Sequence, residues 1–194
     1  MRFLRLFVGL VFSASLAVVQ AQEAPAAADP LAGPGPQPQW QQSEVHGDWL
    51  VFCLVDAAGN RLGPCRMIQT LDLEAEGQSV RLLEISIQRA EEEHILQLAF
   101  PQGVDLRAGT AMQVDEGEQT DIPYSVCAQG SCQVIASMGD DLIEELGVGT
   151  TLRIGFRFFG DDQTIALDAS LSGSLAALRA LERLAAEAPQ SAVN

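Results

Sequence analysis

Residues 79–100 read SVRLLEISIQRAEEEHILQLAF, and two runs of period two lie inside that stretch. Leu83, Ile85 and Ile87 alternate with Glu84, Ser86 and Gln88, and beyond the acidic run Glu91-Glu92-Glu93 the residues Leu96, Leu98 and Phe100 alternate with Gln97 and Ala99. Successive side chains of a strand point to opposite faces, so each run offers one face to a core and the other to water. The pattern predicts two half-buried strands on either side of a solvated loop.

The same signature continues in both directions. Leu152, Ile154, Phe156 and Phe158 alternate with Thr151, Arg153 and Arg157. Turn residues separate about nine such segments, near 48–55, 65–72, 79–89, 94–100, 110–114, 121–128, 131–137, 150–159 and 163–169. Most are shorter than the ~9–11 residues of a membrane-spanning strand, and their outer faces carry charge. The fold class expected is mainly β, an antiparallel β-sandwich over residues 44–188. Two segments depart from it. Asp140-Asp141-Leu142-Ile143-Glu144-Glu145-Leu146, ahead of Gly147, reads as a short helix whose first-turn acids complement the helix dipole. SGSLAALRALERLAAEAP places Leu175, Leu178, Leu181 and Ala185 at helical spacing, with Ser172 or Ser174 as N-cap and Pro189 beyond the end. That leucine stripe suits packing on the sheet, and a partner-binding helix is the alternative.

The first residues bear on which compartment receives this body. Arg2 and Arg5 precede an apolar run from Leu6 to Val19, and Val19-Gln20-Ala21 follows as a small-x-Ala cleavage signal. The run is 14 residues, short of the ~20 a helix needs to span a bilayer. Residues 1–21 are therefore expected to be a signal peptide, with a mature start near Gln22. Gln22 also excludes the cysteine of a lipoprotein. Residues 22–43, which hold Pro25, Pro30, Pro34, Pro36 and Pro38, are expected to be a flexible leader.

Four cysteines delivered to an oxidising compartment are expected to pair. Neither Cys53-x11-Cys65 nor Cys127-x4-Cys132 has the C-x-x-C spacing of a thioredoxin-like or zinc site. Within CAQGSC, a two-residue turn at Gln129-Gly130 sets Cys127 opposite Cys132 in a non-hydrogen-bonded strand pair, whose Cα spacing of ~4.5–5.5 Å suits a disulfide. Cys53 and Cys65 end two apolar runs, DWLVFC and CRMIQT, around turn residues Gly59-Asn60 and Gly63-Pro64. The expected bridges are Cys53–Cys65 and Cys127–Cys132.

An ordered set of segments also resembles a known family: GDWLVFC (47–53), CRMIQT (65–70), VRLLEISI (80–87), LAFPQGVDLRAGTAMQVDEG (98–117), YSVCAQGSCQV (124–134), DDLIEELGVG (140–149) and SLSGSLAALRAL (170–181). Together they are similar to the invasion-associated locus B family of exported α-proteobacterial proteins, over roughly residues 44–185. The resemblance implies a β-sandwich, a periplasmic or outer-surface location, a link to host-cell entry for pathogenic members, and no catalytic residue.

The formal charge is −15, or −17 once Arg2 and Arg5 are removed, with no lysine anywhere in the chain. Such a charge excludes nucleic acid and anionic membrane surfaces as partners, and the resemblance implies a protein of the envelope or of a host surface instead. No cofactor is expected. Nucleophile-elbow, zinc-protease, P-loop and dinucleotide motifs are absent. His46, beside the first strand, and His94, after the glutamate run, are the two candidate bases, and neither has a nucleophile assigned to it by sequence. Acid clusters at Asp115-Glu116-Gly117-Glu118, Asp140-Asp141 and Asp161-Asp162 lack the EF-hand pattern, so no metal site is expected. The reading is an exported, non-enzymatic accessory protein. The alternatives are a small-ligand binder with a cavity between the sheets near Trp49, Phe156 and Phe158, and a hydrolase using His46 or His94.

Overall fold

Eleven strands and two helices follow from these patterns in a computed structural model that describes residues 37–75 and 77–187. The expected signal peptide, most of the expected leader and Pro189 lie outside the described residues. The strands are β1 (Gln39–His46), β2 (Trp49–Val55), β3 (Arg61–Ala75), β4 (Gln78–Ala90), β5 (Glu93–Pro101), β6 (Thr110–Val114), β7 (Thr120–Ile122), β8 (Val126–Ala128), β9 (Ser131–Met138), β10 (Thr151–Phe156) and β11 (Ile165–Ser170). Helix α1 (Asp140–Val148) lies between β9 and β10, and α2 (Ser174–Ala186) follows β11.

The strands form two antiparallel sheets, a seven-stranded one in the order β1-β2-β3-β4-β5-β9-β8 and a four-stranded one in the order β11-β10-β6-β7. The alternation in residues 79–100 decides which face of the large sheet is the inner one. Leu83, Ile85 and Ile87 of β4 and Leu96, Leu98 and Phe100 of β5 are buried, and they meet Met112, Leu152, Ile154 and Phe156 of the small sheet in one core. This is the face-to-face packing of a β-sandwich.

Three departures from the sequence reading have physical causes. β1 occupies residues 39–43, which the sequence reading assigned to the leader. Its first five side chains are all exposed, so it carries no alternation to read and is held by backbone pairing to β2. The guanidinium of Arg66 also stacks 4.3 Å over the Trp40 ring. The expected strand at 121–128 is two strands on different sheets, β7 and β8, with Pro123 between them. Proline has no N–H for a ladder, and the chain changes sheets there. Phe158 lies beyond the end of β10 and makes only an isolated bridge to Val104.

Helix α2 also differs in detail. Its N-cap is Gly173 in the left-handed region (φ 88°), not a serine, and Ser174 is the first helical residue. Ser174 is buried and donates its hydroxyl to the Leu146 carbonyl of α1 at 2.5 Å. That start sets the inward face to Ala177, Leu178, Leu181 and Leu184, and leaves Leu175 39% exposed and Ala185 exposed. The buried face lies against the edge of the large sheet from β1 to β4, so the stripe is core packing. Helix α1 runs through Gly147 to Val148 and is capped by Gly149, whose N–H donates to the Glu145 carbonyl.

Candidate functional site

The residues singled out for chemistry are distributed over the molecule. Cys53 faces Cys65 across β2 and β3 and is bonded to it, with Cα atoms 4.1 Å apart and both residues buried. Cys127 faces Cys132 across β8 and β9, bonded at a Cα separation of 4.0 Å. Gln129 (φ 52°) and Gly130 (φ 88°) have the positive φ pair of a type I′ turn, whose twist matches that of the flanking strands.

Each histidine sits in an ionic cluster with one glutamate and one arginine, and both clusters hold α2. Glu44 of β1 accepts from His46 Nε2 at 2.9 Å and from Arg183 of α2. The Arg183 hydrogen bond holds the Glu44 carboxyl below the usual carboxylate range, against the opposing effect of burial. Arg89 of β4 donates to both oxygens of Glu182 at 2.6 Å. The buried His94 of β5, paired with Arg89 across the ladder, places Nε2 3.0 Å from Glu182 Oε1 without hydrogen-bond alignment. Adjacent helical residues Glu182 and Arg183 thus bind α2 to β4 and β5 on one side and to β1 on the other. The two histidines are not brought together.

The space expected between the sheets near Trp49, Phe156 and Phe158 is filled. Trp49 and Phe156 are 0% and 2% exposed, and the Phe156 ring lies 5.1 Å from Phe100 and 5.7 Å from Phe158. Tyr124 closes the same aromatic group, edge-on to Phe100 at 5.5 Å. Burial, with a further contribution from Asp105, pushes its hydroxyl up to about 12.

Open space occurs instead where β7, an edge of the small sheet, lies beside the part of β9 that extends past its pairing with β8. β7 and β9 belong to different sheets and do not pair, and α1 lies across the gap. The result is a groove of about 530 Å³. Its apolar lining comes from Leu96, Met112, Ile122, Ala136, Met138 and Leu142, and its acidic lining from Glu118, Asp121, Asp141 and Glu145. No arginine or histidine lines it, and among the described residues none of the four carboxylates forms an ion pair. Asp121 accepts only from the neutral Gln119 amide at 2.9 Å. Three further grooves, of about 510 Å³ beside β1, about 410 Å³ on the outer face of the large sheet and about 230 Å³ beside β6 and β10, have mixed linings that include Arg61, Arg66 and Arg157 respectively.

The acid clusters flagged in the sequence separate into different duties. Asp115 accepts from the Thr150 hydroxyl at 2.6 Å and from the Thr150 and Thr151 amides, and the hydroxyl bond is the main cause of its lowered carboxyl pKa. Asp161 accepts from the Gln163 amide within its own turn. Glu118 and Asp141 converge on the groove, although 23 positions separate them in the chain. Among the described residues no three His, Cys, Asp or Glu side chains are grouped to hold a metal ion. The groove itself was missed by sequence reasoning. Its acids are visible there, but their convergence depends on the unpaired edge between β7 and β9.

Comparison with known proteins places this architecture. The family model described as "Invasion associated locus B (IalB) protein" matches residues 49–182. Two invasion protein B homologs of Brucella abortus, from strain 2308 and from biovar 1 strain 9-941, are each 25% identical over 142 residues, covering 73% of this chain and 79% of theirs. The crystal structure of invasion associated protein B from Bartonella henselae superposes with a TM-score of 0.61 at 21% identity, covering 74% of this chain and 97% of that one, which is a likeness of fold.

Proposed function

The chain belongs to the invasion-associated locus B family, and from that premise we propose that it is an exported, non-enzymatic accessory protein of the cell envelope or surface that acts by binding another protein. The observation that carries this reading is the commitment of its reactive side chains to structure. All four cysteines are bonded in hairpins, and both histidines are held in glutamate–arginine clusters that fasten α2. A base with a free face and a nucleophile beside it is what a hydrolase would require. Paired cysteines fit an oxidising compartment outside the cytoplasm, and no helix among the described residues is long and apolar enough to cross a membrane. The relatives are named as invasion proteins, which supports a partner on a host surface as well as in the envelope.

Cell fractionation followed by crosslinking and mass spectrometry of the native protein tests the proposal. The expected result is an oxidised, processed chain crosslinked to an envelope or host-surface protein. A cytoplasmic protein with alkylatable thiols would overturn the exported reading. Loss of the phenotype in His94→Ala, at unchanged stability, would restore the hydrolase.

A further inference from the structure

Taking the protein-binding reading as its premise, we infer that the groove between β7, β9 and α1 is the docking site, and that its occupant is a basic segment of the partner carrying apolar side chains, such as a Lys- or Arg-rich amphipathic helix. Three observations converge. The floor is apolar and opens directly from the core, at a volume within the range of ligand-holding clefts. Two of its six apolar residues are Met112 and Met138, whose unbranched, polarizable side chains adapt to different apolar guests. Its rim carries four carboxylates with no lining cation, so an apolar guest is favoured when it brings positive charge to the edge.

The three other grooves lack this combination, since each includes an arginine in its lining. An acidic protein of net charge −17 after export also draws cations to its whole surface, so the test must separate the groove from that general field.

The probe is a fluorescently labelled Leu/Lys amphipathic peptide, with a Ser/Lys peptide of equal charge as control, titrated by anisotropy. One variant neutralises the rim (Glu118→Gln, Asp121→Asn, Asp141→Asn, Glu145→Gln), and a second removes the same charge elsewhere (Glu91→Gln, Glu92→Gln, Asp161→Asn, Asp162→Asn). The rim variant is expected to weaken Leu/Lys binding by about tenfold and the second variant by about twofold at most, because several partly desolvated ion pairs are lost only in the first. The Ser/Lys peptide should bind the unaltered protein about tenfold more weakly than Leu/Lys. Equal losses in the two variants, or equal binding of the two peptides, overturn the inference.

Methyl NMR of the unaltered chain gives a readout that needs no variant. Met112 and Met138, buried but lining the groove, shift on addition of Leu/Lys while Met67, buried and outside its lining, does not, and unmoved Met112 and Met138 signals refute the site. The premise fails separately. An envelope neighbour crosslinked away from β7 and α1 overturns the groove and leaves the protein-binding reading standing. Peptide binding in the groove without any envelope or host-surface neighbour supports the groove and overturns the proposed function.

Discussion

Gly173→Ala is the most direct test of how the two ends of the sandwich are joined. Gly173 lies at φ 88° where the β11–α2 link crosses the β1–β2 turn, and a Cβ on it would fall inside the His46 carbonyl and 2.8 Å from the Gly47 nitrogen. The crossing is tied by Asp48 N–H donating to the Ser172 carbonyl at 3.0 Å, and by Trp49 Nε1 and Gln69 Nε2 both donating to the Ser170 carbonyl. Gly59 supplies the control, with nearly the same dihedral (φ 85°) and nothing within 4 Å of the added carbon. An L-residue in this left-handed region costs about 1–2 kcal/mol. Reduced freedom of the unfolded chain offsets about 0.4–1 kcal/mol of that. Gly59→Ala should therefore destabilise by about 1 kcal/mol. Gly173→Ala carries the same two contributions plus overlap with backbone that cannot rotate away, for which about 1–3 kcal/mol is typical. Its total should be about 3 kcal/mol. Urea melts followed by circular dichroism measure both variants, and the difference between them isolates the steric cost. A Gly173→Ala protein within about 0.5 kcal/mol of Gly59→Ala, an interval set by the usual precision of such comparisons, would refute the close seating of the turn on the link.

Three further predictions concern the bridges and the titrating groups. Replacing Cys127 and Cys132 together by alanine should cost about 2 kcal/mol, and replacing Cys53 and Cys65 about 3 kcal/mol, from the chain entropy of the smaller and larger rings; denaturant melts of the two double mutants give the comparison. The chain's single tyrosine should titrate near 12 in the folded state, as its buried neutral form is favoured, and near 10 in denaturant. Because the unfolded chain ionises first, stability should fall as pH rises above about 10, and a tyrosinate absorbance midpoint near 10 in the native protein would contradict the burial of Tyr124. Glu44 has the opposite sign. Its folded pKa is depressed by Arg183, so its contribution is present above the unfolded carboxylate range near pH 4.3 and is lost as pH falls through the folded value. Glu44→Gln should flatten the acid limb of a melting-temperature profile, and an unchanged limb would remove the Arg183 pair as a source of stability.

The features of this protein that depend on neighbours close along the chain are legible in its sequence. Alternation in 83–87 and 96–100 placed Leu83, Ile85, Ile87, Leu96, Leu98 and Phe100 in the core, because a strand's period of two is a local property, although Ser86 on the opposite face is buried as well. The hairpin CAQGSC set its own cysteines opposite each other, because a two-residue turn leaves one register. The acidic segment at 140–146 likewise formed a helix, because its caps and spacing are local. Tertiary structure decided what depends on the assembled sheets. β1 has no apolar pattern of its own and exists because β2 offers an edge. The face of α2 turned inward was set by the crossing at Gly173, which displaced Leu175 and Ala185 from the expected stripe. The groove arises from two strands, β7 and β9, that come close without pairing, and the acids on its rim are separated by stretches of chain long enough that no motif connects them. Burial pattern is written residue by residue, whereas a cleft is formed by the distance between elements, which no single segment encodes.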